Sequence, residues 1–161
     1  MKKTLTILAA VTILFAACSK EETDQQKPEI NHSSQDAYPQ NCDTLWLGET
    51  FTFKSVFTDN QELGTFSIEI RENFDHHAHS TETEECEHGP EKEPVNPFEY
   101  LEDFQIPGGS TQYEASVEIT IPESDVNGPV DEGDYHLFIS LTDREGWSEQ
   151  KGLSIKIMSR Q

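Results

Sequence analysis

Basic residues are scarce in this chain. Only 11 Lys and Arg stand against 31 Asp and Glu, for a formal net charge of −20. Nucleic-acid binding needs basic patches, so that class is excluded. Intimate contact with anionic headgroups is disfavoured for the same reason. Long apolar runs are also few. The run from Leu5 to Ala17 is too short for an ordinary membrane span. No helical hydrophobic period of useful length occurs after residue 40. Gly-x-Ser-x-Gly, His-Glu-x-x-His and phosphate-cradling loops are all absent. A histidine beside an acid is not a triad without a placed nucleophile. The chain is therefore expected to be non-catalytic.

What is present begins with Lys2 and Lys3, then Leu5–Ala17, then small residues before Cys18. That order predicts a secretory signal peptide over residues 1–17. Phe15-Ala16-Ala17-Cys18-Ser19 resembles the bacterial lipobox, with Phe15 in the usual place of Leu. The resemblance implies cleavage before Cys18 and acylation of its thiol and new amino group. An ordinary cleaved signal with an incidental cysteine is the alternative. Each buried methylene of an acyl chain adds about 0.8 kcal/mol, so a multiply acylated terminus anchors stably. Cleavage removes two lysines and no acid, taking the net charge from −20 to −22. Residues 18–40 are polar and hold Pro28 and Pro39, which predicts a flexible lipidated tether in which His32 has no role. Ser19-Lys20-Glu21-Glu22 resembles the short Lys-plus-acidic export signals of Bacteroidetes surface lipoproteins. That favours an outer-membrane lipoprotein on the cell surface over the periplasmic face.

Residues 41–161 alternate with period two. Phe51, Phe53 and Phe57 share one phase; so do Phe66, Ile68 and Ile70. Tyr113 to Ile121, Tyr135 to Leu141 and Leu153 to Ile157 repeat the pattern. Such alternation predicts half-buried antiparallel strands. Turn signals such as Asp59-Asn60, Pro107-Gly108-Gly109 and Glu132-Gly133-Asp134 separate them. The expected fold is all-β, an immunoglobulin-like antiparallel sandwich. Gly133-Asp134-Tyr135 resembles a tyrosine corner, whose ring packs inward and whose hydroxyl bonds upstream backbone. A long insertion, about residues 74–111, interrupts the series, and Phe98 to Leu101 within it is a candidate edge strand or docked turn.

The insertion opens Phe74-Asp75-His76-His77-Ala78-His79 and runs to Cys86-Glu87-His88, with Glu82, Glu84 and Glu85 between. It holds four of the six histidines. Imidazoles among carboxylates suit a borderline divalent cation, zinc or copper. His136 shares the outward phase of its strand, so the insertion is expected to fold over that face and share a metal with it. The candidate ligands are His76, His77, His79, His88, His136 and Glu118. Lipidation of Cys18 leaves Cys42 and Cys86, a natural disulfide in an oxidising compartment. Cys86 as a thiolate ligand is the rival assignment, opposed by the ease with which an exported thiolate oxidises. Asp59, Asp125, Asp131, Asp134 and Asp143 sit at turns and invite a calcium reading. No EF-hand or repeated cadherin-type cluster occurs, and turn capping is the expected role.

The lipobox, Lys27-Pro28-Glu29-Ile30, Ile70 to His79 and Gly133 to Gly146 together resemble small Bacteroidetes lipoproteins of unknown function. These carry a His-containing immunoglobulin-like domain. Relatives often have His-x-His on the strand matching residues 136–138 and further histidines on the strand before. Here His136 is followed by Leu137-Phe138, and Glu118 stands where a histidine is expected. The resemblance therefore implies a reduced or carboxylate-substituted site. Two functions follow: a lipid-anchored, metal-binding envelope protein, or an adhesion module whose Trp46, Trp147 and Tyr100 contact a protein or glycan.

Overall fold

The computed structural model describes residues 24–77 and 86–160. The signal peptide, Cys18, His79, Glu82, Glu84 and Glu85 lie outside the described residues. Ten strands form: β1 (Glu29–Asn31), β2 (Thr44–Trp46), β3 (Thr50–Thr58), β4 (Leu63–Glu72), β5 (Tyr100–Gln105), β6 (Gln112–Thr120), β7 (Ser124–Asp125), β8 (Gly128–Pro129), β9 (Gly133–Asp143) and β10 (Ser148–Met158). One sheet has the order β1-β3-β6 and the other β2-β10-β9-β4-β5, with β7-β8 a separate short ribbon. All pairings are antiparallel except β2 with β10.

The period-two pattern decides the layering. Phe53 and Phe57 from β3, and Ala115 and Ile119 from β6, face Phe66, Ile68 and Ile70 from β4. Leu137, Ile139 and Leu141 from β9 and Leu153, Ile155 and Ile157 from β10 complete the buried cluster. The result is a two-sheet, sandwich-like all-β fold. Tyr135 behaves as the corner pattern predicts. Its ring is 1% exposed, and its hydroxyl donates to the Asp131 carbonyl at 2.6 Å while accepting from the Phe98 amide at 3.1 Å. Burial, first among the causes, raises this phenol to about 12. Gly64 marks a register shift between β4 and β9. A Cβ there would lie 2.8 Å from the carbonyl oxygens of Thr142 and Asp143, a separation no real side chain keeps.

Two expectations change. The segment 24–40 is not a free tether from residue 24 on. β1 pairs with β3, Ala37 and Asp24 are buried, and Tyr38 exchanges backbone hydrogen bonds with Lys54 at 2.9 and 3.1 Å. His32, given no role, is 1% exposed; its ring stacks on Phe53 with centroids 5.6 Å apart and its Nε2 donates to the Pro39 carbonyl at 2.7 Å. A polar composition hid this because the docking uses few apolar groups and many backbone bonds. The insertion is also shorter than its expected span, since β5 pairs with β4 as an edge strand and leaves 73–99 as the connection.

Candidate metal centre

The connection after β4 begins by continuing the ladder. The Asn73 amide donates to the Asp134 carbonyl at 2.9 Å. Phe74 then plugs the core edge-on to Tyr135, with centroids 5.3 Å apart. The chain reverses at once: the His76 amide donates to the Asn73 carbonyl at 3.3 Å, and His76 takes φ 55. This tight turn aims consecutive histidines in different directions. The chain returns at Cys86, which is joined to Cys42 with Cα atoms 5.4 Å apart. The expected disulfide is therefore present, and Cys86 is not a thiolate ligand.

His76, His88 and Asp134 converge. One ligand atom from each lies within 4.8 Å of the others. His76 Nε2 is 3.1 Å from Asp134 Oδ2, and the His76 and His88 rings stack with centroids 4.5 Å apart. Asp134 is 6% exposed. Its Oδ2 also accepts the Gly89 amide at 2.7 Å, while Lys156 Nζ stands 4.0 Å from Oδ1. The group borders a cleft of about 430 Å³ walled by Cys42, Cys86, Glu87, Tyr135 and Lys156. The donor set, two imidazoles and a carboxylate, is what a zinc site with an open fourth position uses. Ligand bonds of about 2.0–2.1 Å at tetrahedral angles hold donor atoms roughly 3.3 Å apart. The His76–Asp134 separation is already close to that.

His77 and His136 take a different part. The connection does cover the outer face of β9, as expected. His136, in the outward phase, is 0% exposed because His77 lies over it, with rings 5.5 Å apart. His136 Nε2 donates to the His77 carbonyl at 3.3 Å. His77 Nδ1 hydrogen-bonds Asp75, and that bond holds the Asp75 carboxyl below its ordinary value. Neither imidazole belongs to the converging group. Glu118 is not brought to the histidines at all: it sits exposed on β6, paired with Thr52, in the other sheet. Asp134 was legible only as a turn residue. The phase that placed His136 outward also places Asp134, two residues earlier on β9, on the same face.

The aromatics offered for an adhesive face do not share one. Trp46 on β2 and Tyr100 on β5 occupy opposite edges of the five-stranded sheet. Trp46 lies under the Arg160 guanidinium at 4.9 Å, and Tyr100 donates to Glu102 at 2.6 Å. No curated protein matches the chain. A family does: residues 16–158 match DUF4625, a domain of unknown function, and the chain belongs to that family.

Proposed function

We propose that this is a non-catalytic envelope lipoprotein with an immunoglobulin-like domain that binds zinc or copper at His76, His88 and Asp134. The convergence of those three ligand atoms, drawn from a turn, a disulfide-pinned segment and the start of β9, carries the reading. Strand orders β2-β10-β9-β4-β5 and β1-β3-β6, with a tyrosine corner on β9, support the immunoglobulin-like assignment. Lys156 beside Oδ1 leaves the Oδ2 side of Asp134 to face the imidazoles.

Calorimetric titration of tag-free protein with zinc and copper(II) tests this. His76→Ala, His88→Ala and Asp134→Asn should each weaken binding tenfold or more, on the order expected for one ligand of three. The losses should not add in combination, because any one removal already breaks the site. Glu118→Gln should change nothing. Binding should weaken on acidification, because an imidazole must be neutral to ligate. Absence of saturable binding tighter than about millimolar would leave His76–Asp134 as a structural hydrogen bond. Dependence on His136 in place of Asp134 would restore the ligand set expected from sequence.

The anchor is tested separately. An acyl probe should label wild type, and Cys18→Ser should release the protein from membranes. Unlabelled wild type, or a variant still fractionating with membranes, would remove the lipid anchor from the proposal. Surface exposure follows if added protease cleaves the protein on intact cells; resistance would place it on the periplasmic face.

A further inference from the structure

A second group of acids lies at the end of the sandwich where the β3–β4 and β9–β10 turns meet. Asp24, Asp59 and Asp143 each bring a carboxylate oxygen within 4.8 Å of the other two. Asp24 is 3% exposed and Asp143 5%. Turn capping, the role expected for Asp59 and Asp143, is real but uses one oxygen of each. Asp59 Oδ2 accepts the Gln61 and Glu62 amides at 2.7 and 2.8 Å. Asp143 Oδ1 accepts the Gly146 and Trp147 amides at 2.6 and 2.8 Å. Asp24 Oδ1 accepts Asn60 Nδ2 at 2.9 Å and the Gln26 amide at 3.0 Å. These bonds fix each carboxylate's orientation.

The second oxygen of each is the informative one. Asp24 Oδ2, Asp59 Oδ1 and Asp143 Oδ2 are all closed off from solvent and have no hydrogen-bond partner among the described residues. Buried carboxylate oxygens without donors are costly, and three adjacent ones repel. No Lys or Arg among the described residues makes an ion pair with any of the three; Arg144 pairs with Glu62 and Lys27 with Glu149. The Asn60 amide holds Asp24 below the ordinary carboxylate value, so this acid is ionised at neutral pH. Capping alone explains none of the three orphan oxygens.

We propose that Asp24, Asp59 and Asp143 bind a calcium ion. The donor set is all oxygen and carries three negative charges, which a hard cation satisfies and zinc or copper does not prefer. Magnesium keeps most of its water and uses one or two carboxylates, whereas calcium accepts several carboxylates together with carbonyls and water. The ion also has a structural consequence. It ties the start of the described chain, through Asp24, to two turns of the sandwich. Asn60 Nδ2 on Asp24 Oδ1 and the Trp147 indole N–H, donating to the Asp24 carbonyl at 3.0 Å, are side-chain links at the same point.

The test uses the full mature chain, tag-free and stripped with chelator, with calcium alone as probe. Thermal unfolding should shift upward saturably, by on the order of 5 °C at millimolar calcium. Trp147, 42% exposed beside the site, should change its fluorescence over the same titration. Asp24→Asn and Asp143→Asn keep the size and one capping oxygen. Each should abolish the calcium shift, and each should raise stability in chelator by removing repulsion. That second effect separates a lost site from a failed fold. Zinc response should persist in both variants, so the result is independent of the His76 site. No calcium shift in wild type, or an equal shift in Asp24→Asn, overturns the proposal.

Discussion

Replacing Cys42 and Cys86 together by alanine should lower stability by about 4 kcal/mol. The bridge closes a loop of 44 residues that contains β2, β3, β4 and the histidine turn. In the chain-entropy account, a longer closed loop removes more freedom from the unfolded chain. Local bonds hold the other side in place: the Cys42 amide donates to the Ser154 carbonyl at 2.7 Å, and the Ser154 amide to Asn41 Oδ1 at 2.8 Å. A denaturant midpoint shift with unchanged slope would measure the loss. The same variant should lose zinc affinity, because the bridge pins the chain only two residues before His88, and its removal leaves the Gly89 amide bond to Asp134 to hold that position. A stability loss under about 1 kcal/mol would mean that the connection is held by its hydrogen bonds without the bridge.

The layers of this fold were legible because alternation is a strong signal over nine to eleven residues. β3, β4, β6, β9 and β10 all face inward as their apolar phase demands. Tyr135 was legible for a local reason, since Gly133 at φ 139 lets the chain turn into the strand that the ring then anchors. The sites were read less well. Sequence places His76, His77 and His79 near one another but cannot state which imidazole a tight turn sends to Asp134. That choice rests on the left-handed backbone at His76, which adjacent histidines of the same type leave open to either residue. Glu118 is expected near the histidines only by family resemblance, and nothing local in the sequence states that its strand belongs to the other sheet. The Asp24 group was hidden further. Its three members are 35 and 84 residues apart in order, and Asp24 lay in a stretch whose polarity argued for a tether. Capping by Asp59 and Asp143 is legible from their turn positions, but an orphan oxygen has no signature in sequence.

Phe53→Ala should cost about 3–5 kcal/mol and should release the N-terminal segment as well. Phe53 is fully buried and carries on one side the sandwich core, on the other the His32 ring. Removing its ring leaves a cavity that His32, bonded to the Pro39 carbonyl, cannot fill without breaking that bond. Amide exchange should therefore speed at Tyr38, whose amide donates to Lys54, and around β1, more than at β9 or β10. The titration of His32 gives a second reading. Burial, ahead of the opposing Pro39 bond, holds this imidazole below its ordinary 6.5. The unfolded chain thus takes up the proton first as pH falls below about 6.5, and wild type loses stability from there down to the lower folded value. Admitting water at Phe53→Ala should return His32 towards 6.5 and flatten that loss. Were residues 24–40 a free tether, neither the exchange at Tyr38 nor the His32 titration would respond to Phe53, and the cost would be confined to the core.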